Sequence, residues 1–103
     1  MRLYHSTSNY AVAQIMQDGF KDGDFAGIAS GVFFSDRPLD AADGVASFAE
    51  AVIAIECTLT AVQLDEFEVI VEGRPPEAYR EWLIPAELVN QMPRSVWSDP
   101  ELD

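Results

Sequence analysis

Positively charged residues are scarce in this chain. Its 103 residues include 6 lysines and arginines against 18 aspartates and glutamates, which gives a formal net charge of −12. Phosphate backbones are bound by clustered cations, so this balance argues against a nucleic-acid partner. Solubility and repulsion between molecules account for most acidic surfaces, and we favour that interpretation here. The alternative is an acidic surface that docks on a basic partner protein.

The chain also has little cysteine and no long apolar run. Cys57 is the only cysteine, which excludes an intramolecular disulfide and favours a buried, unreactive thiol. The longest apolar run, residues 51–55, is far too short to span a bilayer. The N-terminus carries no apolar signal-peptide core, so we expect a cytoplasmic protein without a membrane partner. No cluster of histidine and cysteine is present, so we expect no metal.

The residues that are abundant point to one folded domain. Hydrophobic residues make up 49% of the chain, which contains two tryptophans. This composition is typical of a globular protein and not of a disordered acidic chain. We assign residues 1–97 to a single domain, as the length predicts. Residues 98–103 are acidic and have no means of packing, so they predict a frayed tail.

The first third of the chain predicts two strands around a helix. A short apolar segment, Arg2–His5, reads as the first strand. The hydroxyl-rich residues after it predict a helix cap, followed by a helix over Asn9–Asp18 with its apolar residues on one face. Gly19 fits the left-handed position after a helix end. Residues 21–30 predict a loop, and Gly31–Ser35 predicts an aromatic-rich strand.

The remainder predicts a further helix and three strands. The alanine-rich segment Leu39–Glu50 is moderately helical, and Ala51–Leu59 alternates as a half-buried strand does. Phe67–Val71 also predicts a strand. Gly73–Pro76 predicts a loop, because two prolines cannot serve a central strand. Tyr79–Ile84 predicts the last strand, which Pro85 ends.

Three short motifs occur in a fixed order along these elements. His5-Ser6-Thr7 ends the first strand, Gly31-Val32-Phe33-Phe34-Ser35-Asp36 forms the next, and Tyr79-Arg80-Glu81-Trp82-Leu83-Ile84 places a glutamate in an aromatic and apolar strand. This ordered trio resembles the active-site signature of the ADP-ribosyltransferase superfamily. It is most similar to the His-Tyr-Glu branch of diphtheria-type toxins and poly(ADP-ribose) polymerases, in a minimal bacterial-type form. The resemblance covers roughly residues 2–90.

The resemblance implies a fold and an activity. The expected fold is a small α+β domain, a curved and mostly antiparallel split sheet with one or two helices. The expected function is that of an NAD-dependent mono-ADP-ribosyltransferase, a glycosyltransferase, or of an NAD glycohydrolase. NAD is then a substrate and no metal takes part. The acceptor is an unidentified macromolecule, expected to be a protein.

The resemblance also assigns roles to individual residues. Glu81 and His5 are the expected catalytic residues. Breaking the nicotinamide–ribose bond develops positive charge on the ribose, and a carboxylate such as that of Glu81 stabilises this charge mainly in the transition state. The residues expected to bind NAD are His5 at a ribose hydroxyl, Ser6 and Thr7 at the carboxamide, and the aromatic pair Phe33 and Phe34. Since side chains alternate along a strand, one member of that pair is expected in the core.

The chain departs from the family pattern at several points. Phe33 replaces the usual tyrosine and loses its hydroxyl, and Ser6 replaces a glycine. Cations for the diphosphate are few, with Arg37 and Arg80 nearest in sequence to the motifs. These departures favour a second hypothesis, a catalytically degenerate binding module whose acidic surface docks on a partner protein. An RNA 2′-phosphotransferase fits badly, because its chemistry needs clustered arginines.

Overall fold

The computed structural model describes residues 1–25, 27, 29–38, 51–75 and 78–98. These residues form six strands and three helices. In chain order they are β1 (Arg2–Thr7), α1 (Asn9–Asp18), β2 (Gly23–Phe25), β3 (Ala29–Ser35), β4 (Ala51–Glu56), α2 (Ala61–Phe67), β5 (Glu81–Ile84), α3 (Ala86–Val89) and β6 (Arg94–Trp97).

All six strands belong to one open sheet. The order across it is β2-β3-β1-β4-β6, and β5 also pairs with β3. Every strand pair is antiparallel. β3 has three partners: β2 pairs along Ala29–Gly31, β5 pairs along Val32–Ser35, and β1 pairs at Ser35. The α+β class and the mostly antiparallel sheet are therefore confirmed, whereas the three helices in the described residues exceed the one or two expected.

The core lies on one face of this sheet. Directly opposed residues share a face, so register decides which side chains meet. Leu3 opposes Ile55, and Phe34 opposes Trp82. The largest fully buried side chains are those of Leu3, Phe34, Ile53, Ile55, Trp82, Ile84 and Val89. The helices α1 and α2 pack against this set through the half-buried Val12, Ile15, Met16 and Phe67 and the buried Leu64.

The helix α1 has the bounds that the sequence predicts. The Ser8 hydroxyl accepts a hydrogen bond from the backbone N–H of Ala11 at 3.2 Å, which caps the helix. At the other end, Gly19 has a φ of +90° and donates its N–H to the carbonyl of Ile15 at 2.8 Å. Phe20 then turns into the core and is buried. Local capping and apolar spacing thus account for the bounds of this helix.

Other predictions fail where capping or strand pairing overrides local pattern. Phe67–Val71 is not a strand: α2 extends to Phe67, and of the following residues Glu68 makes one isolated bridge to Trp82. Thr60 and Gln63 form a reciprocal capping box that starts α2. Residues 21–30 are not simply a loop, because β2 and the start of β3 pair there.

Two of the sequence predictions fall wholly or mostly outside the residues that the structure describes. The predicted helix Leu39–Glu50 lies outside the described residues, and of the predicted tail, residues 98–103, only Ser98 is described. β6 has no counterpart among the sequence predictions, and its two middle residues, Ser95 and Val96, are both exposed, so it lacks the alternation of a half-buried strand. None of the described helices is long and apolar enough to cross a membrane.

Candidate functional site

The three motifs come to lie on neighbouring strands. β3, which carries Phe33, pairs with β1, which carries His5, and with β5, which carries Glu81. Phe33 and Glu81 are 48 residues apart in sequence, yet they lie two register rows apart on one face, since Phe33 opposes Leu83 and Ser35 opposes Glu81. The fold therefore gathers segments that the sequence keeps far apart.

The sheet is weakly joined between β1 and β3. β1 and β4 are in register over six residue pairs, whereas the pairing of β1 with β3 in the described strands is confined to Tyr4 and Ser35. Beyond that point the imidazole Nδ1 of His5 lies 2.8 Å from the carbonyl oxygen of Phe33. A side chain thus bonds across the strands where the main-chain pairing has stopped.

A cavity of about 270 Å³ opens beside this weak join. Its walls come from β1, from α1, from the segment between α1 and β2, from the start of β2 and from the middle of β3. The lining includes His5, Gln14, Asp18, Phe20, Lys21 and Phe33.

The His5 ring is enclosed by aromatic neighbours. It meets the Phe20 ring edge-on at a centroid distance of 5.5 Å and the Phe34 ring at 5.7 Å. Burial lowers the pKa of His5 from its ordinary value of 6.5, partly opposed by the backbone hydrogen bond to Phe33. The imidazole is therefore neutral at pH 7. Because a carbonyl can only accept, Nδ1 carries the proton and Nε2 is left as an acceptor.

The two adjacent phenylalanines have different environments. Phe33 is half-buried and lines the cavity. Phe34 is 1% exposed, lies in the core and packs against the His5 ring. Of the two aromatics expected to bind NAD, Phe33 thus reaches the cavity, while Phe34 acts through packing.

Ser6 and Thr7 lie farther along β1, outside the cavity wall. Both are half-buried and oppose Val52 and Ala51 of β4. The Ser6 Oγ is buried and has no hydrogen-bond partner among the described residues. The structure therefore brings His5 and Phe33 to one cavity, whereas Ser6 and Thr7 do not line it.

Glu81 also lies outside the cavity wall. Its carboxylate is 3.6 Å from a guanidinium nitrogen of Arg74, and both side chains are about four-fifths buried, with 20% and 19% exposed. The Arg74 guanidinium in turn stacks over the Tyr79 ring at 4.2 Å. Glu81 is therefore a partly buried carboxylate with a cationic partner, Arg74, from the segment before β5.

The cation at the cavity is one that the sequence did not indicate. Arg80, one of two arginines considered for a diphosphate, makes two hydrogen bonds to Glu68, at 2.7 and 3.1 Å. Lys21, the only lysine in the chain, lines the cavity and has no ion pair or hydrogen bond with the residues that the structure describes. Phe20 was likewise missed as a wall residue, although its place after the helix-ending Gly19 was a usable signal.

The described residues contain no group of three or more histidines, cysteines, aspartates and glutamates that could hold a metal ion. Comparison with protein-family models, curated proteins and solved structures finds no match to this chain.

Proposed function

We propose that this domain binds NAD in the cleft between β1 and β3 and transfers its ADP-ribosyl group to an acceptor, expected to be a protein. The observation that carries the proposal is the adjacency of the three motif strands, with His5 and Phe33 lining one cavity where the pairing of β1 and β3 stops. This adjacency also supports the finer fold assignment, a small ADP-ribosyltransferase-like domain. Water in place of the acceptor gives NAD glycohydrolysis.

The groups in the cavity suit the parts of NAD. Phe33, which lines the cavity, is the aromatic residue proposed to stack on nicotinamide. The neutral His5 offers Nε2 as an acceptor for a ribose hydroxyl, and Lys21 offers a cation for the diphosphate. The cavity of about 270 Å³ lies near the lower limit of ligand pockets, about 300–1,000 Å³. It holds the nicotinamide end, and the adenosine end extends past Lys21.

The chemistry proposed for Glu81 is electrostatic. The bond from the ribose C1′ to the nicotinamide nitrogen breaks, and its electron pair leaves with nicotinamide, which becomes neutral. The ribose gains oxocarbenium character, which the Glu81 carboxylate stabilises. The acceptor nucleophile then bonds to C1′ and loses its proton through Glu81 to solvent. For this step Glu81 has to exchange its contact with Arg74, 3.6 Å away, for one with the ribose.

Release of free nicotinamide tests this function. Purified protein is mixed with NAD, and nicotinamide is followed by proton NMR for wild type, for Glu81→Gln and for Glu66→Gln. Glu66 is an exposed carboxylate on α2 and serves as the matched control. We expect release by wild type and by Glu66→Gln, and a loss of about 10²-fold or more in Glu81→Gln. Equal rates in all three proteins would contradict the role of Glu81.

A second candidate function is favoured by the Arg74–Glu81 pair. A carboxylate neutralised by a buried guanidinium is poorly placed to stabilise a cation, and Phe33 lacks the hydroxyl of the family's tyrosine. Both features fit a binding module that keeps the fold and docks its acidic surface on a partner protein. NAD binding without any nicotinamide release, with or without basic proteins as acceptors, would favour this second function.

A further inference from the structure

One wall of the cavity is made from main chain with no regular secondary structure. Gly19, Phe20 and Lys21 follow α1 and precede β2, and all three line the cavity. Segments of this kind are mobile unless other groups hold them. The Phe20 ring nevertheless has a defined place, edge-on to His5 at 5.5 Å and to Phe34 at 5.3 Å. Something outside the segment therefore has to fix its main chain.

Asn90, which follows α3, supplies that restraint. Its Oδ1 accepts the backbone N–H of Phe20 at 2.7 Å, and its Nδ2 donates to the Phe20 carbonyl at 3.0 Å. One side-chain amide thus satisfies both main-chain groups of a residue 70 positions away, as a neighbouring strand would. Asn90 itself is not part of the cavity wall.

Two further contacts show that this junction is closely fitted. A Cβ at Gly19 would come within 2.8 Å of the Asn90 Oδ1, so a side chain there would displace the amide. The positive φ of Gly19 also favours glycine at this position, because other residues rarely adopt it. On the other side of Phe20, the Asp22 carboxylate accepts the backbone N–H of Ala86 at 2.8 Å and binds the segment to the start of α3.

We infer that Asn90 is a positioning residue that holds Phe20 against His5 and so completes the wall of the cavity before a ligand arrives. The effect passes from the amide to the Phe20 main chain, and from the Phe20 ring to the imidazole. A preformed wall spares the ligand the cost of ordering the segment. The inference depends on the proposed function for the identity of the ligand, NAD, but not for the link between Asn90 and His5.

The test uses the proton NMR signals of His5, which is the only histidine in the chain. Aromatic rings at 5–6 Å shift these signals, so they report where Phe20 lies. In Asn90→Ala we expect the His5 ring signals to move, the contact between the Phe20 and His5 rings to weaken, and the dissociation constant for NAD to rise about tenfold, as loss of a hydrogen-bonded pair predicts.

Two control variants separate positioning from general stability. Gln91 is the residue after Asn90, and its side chain donates a hydrogen bond of 2.9 Å to the Glu87 carbonyl and not to Phe20. Gln91→Ala removes this bond. Thr60→Ala removes the capping box of α2 and lowers stability far from the cavity. Both should leave the His5 signals and the NAD affinity as in wild type. A folded Asn90→Ala protein with wild-type His5 signals would overturn the inference.

The outcomes remain distinguishable if NAD does not bind. Failure of wild type to bind NAD contradicts the proposed function, while the His5 signals of Asn90→Ala still decide the role of Asn90. If Asn90→Ala does not fold, Asn90→Asp takes its place, because it keeps the shape and the acceptor but cannot donate to the Phe20 carbonyl. Its His5 signals should move in the same direction, and unchanged signals in the folded protein would count against Asn90.

Discussion

The imidazole of His5 donates from Nδ1 to the main-chain carbonyl of Phe33 across 2.8 Å, at the place where the pairing of β1 with β3 ends. This bond explains two properties of the site at once. It fixes the tautomer of a half-buried, neutral histidine, so that Nε2 is an acceptor. It also ties together the two strands whose separation forms the cavity.

The buried state of His5 predicts how stability changes with pH. Burial lowers the folded-state pKa below 6.5, so the unfolded chain binds the proton more tightly. The stabilising effect is complete above pH 6.5 and is lost as the pH falls through the folded-state pKa. Urea unfolding at a series of pH values between 7.5 and 5 should show this decline, and the decline should be smaller in His5→Gln. Identical slopes for the two proteins would contradict the assignment.

The pairing of Arg74 with Glu81 predicts that removing the arginine charge speeds the release of nicotinamide. Arg74→Gln removes a cation near the developing positive charge, and an interaction of about 1 kcal/mol corresponds to a roughly fivefold faster release of nicotinamide. Arg74→Lys keeps the charge and serves as the control, with a rate close to wild type. Slower release by Arg74→Gln, at unchanged stability, would show that the arginine assists catalysis instead of opposing it.

The two neighbouring phenylalanines predict opposite patterns of damage. Phe34 is 1% exposed, so Phe34→Ala should lower the free energy of unfolding by about 3–5 kcal/mol. Phe33 is half-buried, and Phe33→Ala should cost about 1–2 kcal/mol while weakening NAD binding. Urea unfolding and NAD titration of both variants measure the contrast. An equal loss of stability in the two would mean that the side chains do not alternate as described.

The elements that the sequence predicts well are those with local determinants. α1 has a capping serine, apolar residues on one face and a glycine at its end, and its predicted bounds agree with the structure. α2 has a local signal in the capping box of Thr60 and Gln63, whereas the apolar pattern of Phe67–Val71 predicts a strand that the structure does not contain. β2 and β6 are short edge strands, whose pairing partners lie elsewhere in the chain.

The candidate site likewise combines residues that the sequence motifs predict with contacts that only the folded structure reveals. The motifs could be read in the sequence, and His5 and Phe33 do meet at one cavity. Three contributions depend on the folded chain and are encoded by no local sequence pattern. Asn90 reaches Phe20 across 70 residues, Lys21 enters the cavity wall from an irregular segment, and Arg74 turns back onto Glu81.

An NAD titration at pH 7.5, followed through the His5 ring signals, is the most direct test of NAD binding in the cleft between β1 and β3. At that pH the imidazole is neutral, so a shift reports contact and not protonation. We expect a saturable shift in wild type, and an affinity for NAD that is several-fold weaker in Phe33→Leu and in Lys21→Gln. Wild-type His5 signals that stay in place at saturating NAD, or that move equally in all three proteins, would contradict binding in this cleft.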